Sequence, residues 1–251
     1  MSLEKNFFRF KQFVVHHDRA THKVGTDAVL LGAWVNTTGV QSALDIGTGS
    51  GVIALMVAQR TSSLAKIDAV DIEQNNFLQA AENIAGSPWP EKIRVHHATV
   101  QEFFPQQKFD LIVSNPPYFV NSLLPVGSQR RKARHTTSLS YNELLTAVKR
   151  LLMPSGKFGV ILPTSEGDQF QSIAMEFGLY CSRRLAFFSR KQKPQERWLV
   201  EFTFTPADPF TETLVLYHEG NKWSDEYKTL TGDFYLLKAD RRPVHNSSKS
   251  N

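Results

Sequence analysis

The chain has 251 residues, 41% of them hydrophobic and 21% charged, a balance that supports a packed core and excludes a low-complexity or extensively disordered chain. Its net charge of +5 favours a polyanionic partner only weakly, and its one cysteine, Cys181, excludes an internal disulfide and suits a reducing compartment. No apolar run approaches the roughly 18 residues of a membrane span, and Glu4, Lys5 and Arg9 interrupt the N-terminal phenylalanines where a secretion signal needs an apolar stretch, so a cytoplasmic protein is expected.

Phe7 to His16 is aromatic and β-branched with partial alternation, the pattern of a strand or hairpin. Ala28 to Val35 follows as a short helix with the apolar face Val29, Leu30, Ala33 and Trp34; Thr26 or Asp27 is its expected cap, and such a helix start can face a ligand. From Ser42 the pattern becomes strand, glycine turn, helix, strand, helix, which predicts an α/β fold whose mostly parallel sheet is covered on both faces. Its strands are Ala43 to Ile46, Lys66 to Val70, Ile93 to His97 and Phe109 to Val113; its helices are Val52 to Gln59 and Gln74 to Ala85. Tyr141 to Leu152 reads as an amphipathic helix stopped near Pro154-Ser155-Gly156, Phe158 to Leu162 as a fifth strand and Ser165 to Phe177 as a helix. Leu179 to Ser189 and Arg197 to Thr205 complete seven strands as an antiparallel pair, since their connection is short. Leu214 to Tyr217 and Trp223 to Leu237 retain enough apolar residues to pack, and the polar stretch from Arg241 is expected to be disordered. The expected organisation is an extension at 1–40 packed on the ligand site, a core at 41–205, a second extension at 206–238 and a tail at 239–251.

Three stretches carry chemistry. The turn Asp45-Ile46-Gly47-Thr48-Gly49-Ser50-Gly51 joins a strand to a helix, and its glycines permit a tight bend and close backbone approach to a ligand. About 20 residues further on, Asp71 ends the next strand, where doubly wound folds place an acid against ribose hydroxyls. The spacing G-x-G-x-G departs from the G-x-G-x-x-G of a pyrophosphate site, so S-adenosylmethionine, with a ribose and an amino-acid tail but no phosphate, fits better than a dinucleotide. Asp45 is then the partner of the tail amine. Asn115-Pro116-Pro117-Tyr118, at the end of a strand, offers the third signal. The Asn115 amide oxygen and the Pro116 carbonyl can both accept from one planar NH2 group, the prolines remove competing N–H donors, and Tyr118 can stack on the ring that bears the amine. Beyond it Arg130, Arg131, Lys132, Arg134 and His135 crowd a long loop that lacks acids, and Arg190, Lys191 and Lys193 form a second basic cluster; both suit a phosphate backbone. No metal-ligand spacing is found, and nothing calls for a membrane or an obligate protein partner.

Asp45 to Gly51, Asp71 and the NPPY run together resemble the class I S-adenosylmethionine-dependent methyltransferases that methylate amino groups, which implies a Rossmann-like fold. The resemblance extends to FKQFVVHHDRATHKVGTDAVLLGAW near the N-terminus, to Arg134 and His135, and to PQERWLVEF and LTGDFYLL. With these the chain is similar to the bacterial family that N6-methylates adenosine 37 of a valine tRNA, over nearly its whole length to Leu237. The resemblance implies a tRNA substrate, a catalytic run Asn115, Pro116, Pro117 and Tyr118, and a cofactor lined by Lys23, Thr26, Asp45, Gly47, Thr48, Gly49, Gly51, Asp71, Ile72, Thr99, Val100 and Asn115. One departure is that Thr99 stands where such enzymes often carry an Asp for the adenine amine.

The residues themselves leave the acceptor open. A protein glutamine or a DNA adenine presents the same NH2, and an inactive RNA-binding protein can keep the fold; the basic loop favours nucleic acid, and the chain leaves little room for an element that reads duplex sequence.

Overall fold

The computed structural model describes residues 6–117 and 139–236. Their elements are β1 (Phe7–Arg9), β2 (Val14–His16), α1 (Thr26–Trp34), β3 (Ser42–Ile46), α2 (Val52–Arg60), β4 (Lys66–Asp71), α3 (Gln74–Ala85), β5 (Ile93–His97), β6 (Phe109–Ser114), α4 (Tyr141–Leu151), β7 (Leu152–Pro163), α5 (Thr164–Glu176), β8 (Tyr180–Arg190), β9 (Arg197–Thr203), β10 (Phe210–Tyr217) and α6 (Asp225–Thr231). β1 and β2 form an antiparallel hairpin, and the other strands make one sheet in the order β10-β8-β9-β7-β6-β3-β4-β5. Only β9 runs against its neighbours, β7 and β8; every other pairing in the sheet is parallel.

Side chains alternate across the sheet with period two, as a strand requires. Leu111 and Val113 of β6 and Ile161 of β7 face a core shared with α1, α2 and α3, whereas Ile112, Phe158, Val160 and Leu162 face one shared with α4 and α5. Helices therefore cover both faces, and no described helix is long and apolar enough to cross a membrane.

Three local features differ from the sequence reading. Among the described residues the sheet has eight strands rather than seven. In the additional one, β10, only Leu214 and Leu216 are buried while Phe210 is 66% exposed, so its alternation is visible over half its length. Neither Thr26 nor Asp27 caps α1: Gly25 is the N-cap with no side-chain cap, and the Asp27 carboxylate is taken by Arg197 Nε at 2.9 Å, from the start of β9. Pro154-Ser155-Gly156 lies inside β7, where Leu152 pairs with Phe109 but Lys157 with Leu111; the proline, without an N–H, sits in that irregularity.

Candidate active site

Strand order reverses between β3 and β6. β4 and β5 extend the sheet on one side of β3, and β6 and β7 lie on the other, so the carboxyl ends of β3 and β6 flank the crevice where open α/β sheets bind ligands. Ile46 and Ser114 are paired there, and the Ser114 hydroxyl donates to the Ile46 carbonyl at 2.9 Å, holding the two strand ends together. The glycine turn leaves one end and Asn115-Pro116-Pro117 leaves the other.

The turn is built around Asp45. Gly47, Gly49 and Gly51 all have positive φ, and Gly51, the N-cap of α2, has no side chain with which to satisfy the helix's first donors. Asp45 Oδ2 does so from the strand: it accepts from the Ala54 N–H at 3.2 Å and from the Thr48 hydroxyl at 2.6 Å. Asp45 Oδ1, fully buried, has no partner among the described residues. Burial above all, with a smaller push from the nearby Asp71 charge, raises the Asp45 carboxyl to about 7 despite those two hydrogen bonds.

Asp71 stands across the turn. Its Oδ2 accepts from the Gly49 N–H at 2.8 Å, and its Oδ1 accepts from the Glu73 N–H at 2.9 Å and from Asn76 Nδ2 at 3.2 Å. Beyond it Ile72 is 45% exposed, Val100 is buried, and the His97 ring stacks on Phe77 with Nε2 3.0 Å from the Ile72 carbonyl. The Thr99 hydroxyl donates to Glu102 Oε2 at 2.8 Å and accepts from the Glu102 N–H at 3.2 Å. Its proton is committed, and one lone pair remains for a donor such as an adenine amine.

These residues fit S-adenosylmethionine. The orphan oxygen of Asp45 suits an ammonium group, and a Cβ built on Gly47 or Gly49 meets no atom within 4 Å, so the turn borders open space. Lys23 and Thr26 are exposed at the start of α1, which the Asp27–Arg197 pair ties to the carboxyl edge of the sheet. Asn115 is half-buried, Pro116 buried and Pro117 exposed. Tyr118 and the basic run Arg130, Arg131, Lys132, Arg134 and His135 lie outside the described residues.

The second basic cluster occupies the tip between β8 and β9, at the same edge of the sheet. Arg190 is partly spent there: it donates to the Gly220 carbonyl and, at 2.8 Å, to Asn221 Oδ1, with its guanidinium 5.2 Å from the Tyr217 ring centre. Lys191 and Lys193 are exposed, and Arg190 and Lys191 line a groove of about 940 Å3 with Trp223 and Lys222. Sequence reasoning missed two buried residues, Ser114, which ties the strand end before Asn115 to Ile46, and Asn76, which holds Asp71. A buried Ser next to the NPPY run carries no sequence signal; Asn76 begins a run of amides on one face of α3, a pattern visible in the sequence.

Residues 20–178 match the family model described as methyltransferase small domain. A Bacteroides fragilis protein named tRNA1(Val) (adenine(37)-N6)-methyltransferase is 46% identical over 237 residues, which cover 93% of this chain and 99% of that one. A protein of the same name from Escherichia coli O157:H7 is 43% identical over 237 residues, covering 94% and 97%. Among solved structures, one from Agrobacterium tumefaciens described as a predicted O-methyltransferase superposes with a TM-score of 0.62 at 16% identity, covering 83% of this chain and 96% of that one, a likeness of fold.

Proposed function

The chain belongs to the family of tRNA1(Val) (adenine(37)-N6)-methyltransferases, and from this we infer that it transfers a methyl group from S-adenosylmethionine to N6 of adenosine 37 in that tRNA. One observation carries methyl transfer to an amine: the orphan Asp45 oxygen and the Asn115-Pro116-Pro117 run leave neighbouring, hydrogen-bonded strand ends. The choice of acceptor rests on the relatives.

S-adenosylmethionine, when bound, supplies a sulfonium methyl open to in-line displacement. The protein's task is to prepare a weak nucleophile, because the adenine amine shares its lone pair with the ring. The Asn115 side-chain oxygen and the Pro116 carbonyl accept the two N–H bonds, which favours a tetrahedral nitrogen and aims its lone pair. Pro116 and Pro117 contribute no N–H to compete for those acceptors. No side-chain base is needed, since the methylated nitrogen is acidic enough to lose its proton to water. Asp45 would hold the amine of the cofactor's tail, the glycine turn the tail itself and Asp71 the ribose. Tyr118 stacks on the everted adenine and replaces part of the stacking lost in the anticodon loop. Arg130, Arg131, Lys132, Arg134 and His135, with Lys191 and Lys193, hold phosphates around it. In this reading the segments 1–40 and 206–238 are extensions of a methyltransferase core at 41–205, and the enzyme works in the cytoplasm, where its tRNA is found.

The test is transfer of labelled methyl to unmodified tRNA1(Val), beside the same transcript with guanosine at position 37, a duplex DNA and a glutamine-containing peptide. Label on the first alone is expected. Label on the guanosine-37 transcript overturns the position, and label on DNA or peptide in its place overturns the acceptor.

A further inference from the structure

The face of α3 that meets the N-terminal segment carries three amides, Asn76, Gln79 and Asn83, at 7%, 0% and 2% exposure. They form a ladder against the backbone between His16 and Thr21. Asn83 Oδ1 accepts from the His16 N–H and its Nδ2 donates back to the His16 carbonyl, each at 2.8 Å. Gln79 Oε1 accepts from the Arg19 N–H at 2.9 Å, and Asn76 Oδ1 accepts from the Thr21 N–H at 2.9 Å and from its hydroxyl at 3.1 Å. The helix thus offers side-chain amides where a neighbouring strand would offer backbone, and it holds a segment whose pairing with β1 ends at His16.

The two outer rungs each reach a second group. Asn83 Nδ2 also donates to the Ser50 carbonyl in the glycine turn at 2.8 Å, and Asn76 Nδ2 donates to Asp71 Oδ1. Gln79 Nε2, on the middle rung, has no partner among the described residues. The N-terminal segment is therefore wired to the glycine turn and to the end of β4, through buried groups that are costly to leave unpaired. A carboxylate has about four lone-pair sites. Asp71 Oδ1 fills two of them with Glu73 and Asn76, Oδ2 fills one with Gly49, and the remaining site is on Oδ2.

We propose that Asn76 and Asn83 are positioning residues that couple docking of the His16–Thr21 segment to cofactor binding, Asn76 by turning Asp71 so that only Oδ2 is presented to the ribose. This rests on the reading of Asp71 as the ribose partner. Binding the cofactor tightens Asp71, Asp71 tightens Asn76, and Asn76 tightens the segment; the coupling is reciprocal.

The experiment uses the full chain and S-adenosylhomocysteine as the probe. Calorimetry on Asn76→Ala and on Thr21→Pro, which cuts the ladder from the segment's side and leaves every crevice residue unchanged, is expected to show affinity losses of at least tenfold and about fivefold. Hydrogen exchange on the unaltered protein is expected to show the His16, Arg19 and Thr21 amides slowed by the probe. Turnover at saturating S-adenosylmethionine should stay within threefold for Thr21→Pro while its KM for that cofactor rises, a split that a general loss of stability does not produce. Affinity within twofold of the unaltered protein for both variants, or amides that exchange equally fast with and without probe, overturns the coupling. Should Asn76→Ala fail to fold, Thr21→Pro and the exchange experiment decide. Failure of the unaltered protein to bind the probe overturns the cofactor reading itself, and the coupling with it.

Discussion

The Asp45 carboxylate accepts from the Ala54 N–H, nine residues along, and so does for α2 what its glycine N-cap cannot. The same carboxylate keeps a second oxygen unpaired and buried, the atom assigned above to the cofactor's ammonium group. Removing its charge separates the two roles. In Asp45→Asn the amide oxygen can still accept from Ala54 and Thr48, so the cofactor-free protein should melt no lower than the unaltered one, while cofactor affinity falls by about 10- to 100-fold, the size of one charge-assisted hydrogen bond. Thermal melts and calorimetry on the same preparation check both halves.

If Asp45 meets the cofactor's ammonium group, binding should depend on pH. Its carboxyl is raised from the ordinary 3.8 to about 7, chiefly by burial, so between those values the folded protein holds a proton that the unfolded chain has lost. The cofactor-free protein should therefore lose stability as pH rises from about 4 to about 7 on this account and change little above. An ammonium group favours the ionised carboxylate, so cofactor affinity should rise over the same interval, with a proton released on binding below pH 7. Calorimetry in two buffers of different ionisation enthalpy measures that release; heats that agree in both buffers would refute it.

Gly49 has φ of 57°, its N–H reaches Asp71, and a Cβ there would meet nothing within 4 Å. Gly49→Ala should cost the folded protein only about 1–2 kcal/mol of left-handed strain. If the space belongs to the cofactor, affinity must fall further than stability does, by at least tenfold. Equal affinity in the variant would mean that the ligand lies elsewhere.

Asn115→Ala removes one of the two acceptors assigned to the adenine amine. Turnover should drop by roughly 100- to 1,000-fold, as for loss of one preorganised hydrogen bond to a reacting group, with cofactor affinity changed less than threefold. Single-turnover rates beside equilibrium binding distinguish this from a collapse of the whole site, in which both would fall together.

Lys191 and Lys193 are exposed, whereas Arg190 is bound to the loop at Gly220 and Asn221. Replacing both lysines by glutamate should weaken tRNA binding and reduce the slope of log affinity against log salt by roughly 1 per cation. Arg190→Ala should act instead through stability, because it unties that loop. Filter binding across a salt series, with melts of each variant, tests the division.

What could be read from the chain alone was what depends on neighbours in sequence. The apolar run at Leu111 to Val113, the glycines at 47, 49 and 51, the acid at 71 and the NPPY run are each set within a few residues, so the fold class and the two sides of the crevice were visible. Other assignments depended on partners far along the chain. Asp27 looked like a helix cap until the sheet order brought Arg197, 170 residues away, against it. Asn76, Gln79 and Asn83 look in sequence like a solvated helix face. They become interior only because a segment 55 to 67 residues earlier lies across them, and its backbone needs the hydrogen bonds their amides provide. Propensity and pattern describe what one segment prefers, whereas the burial of a polar group is decided by what arrives from elsewhere to pair with it.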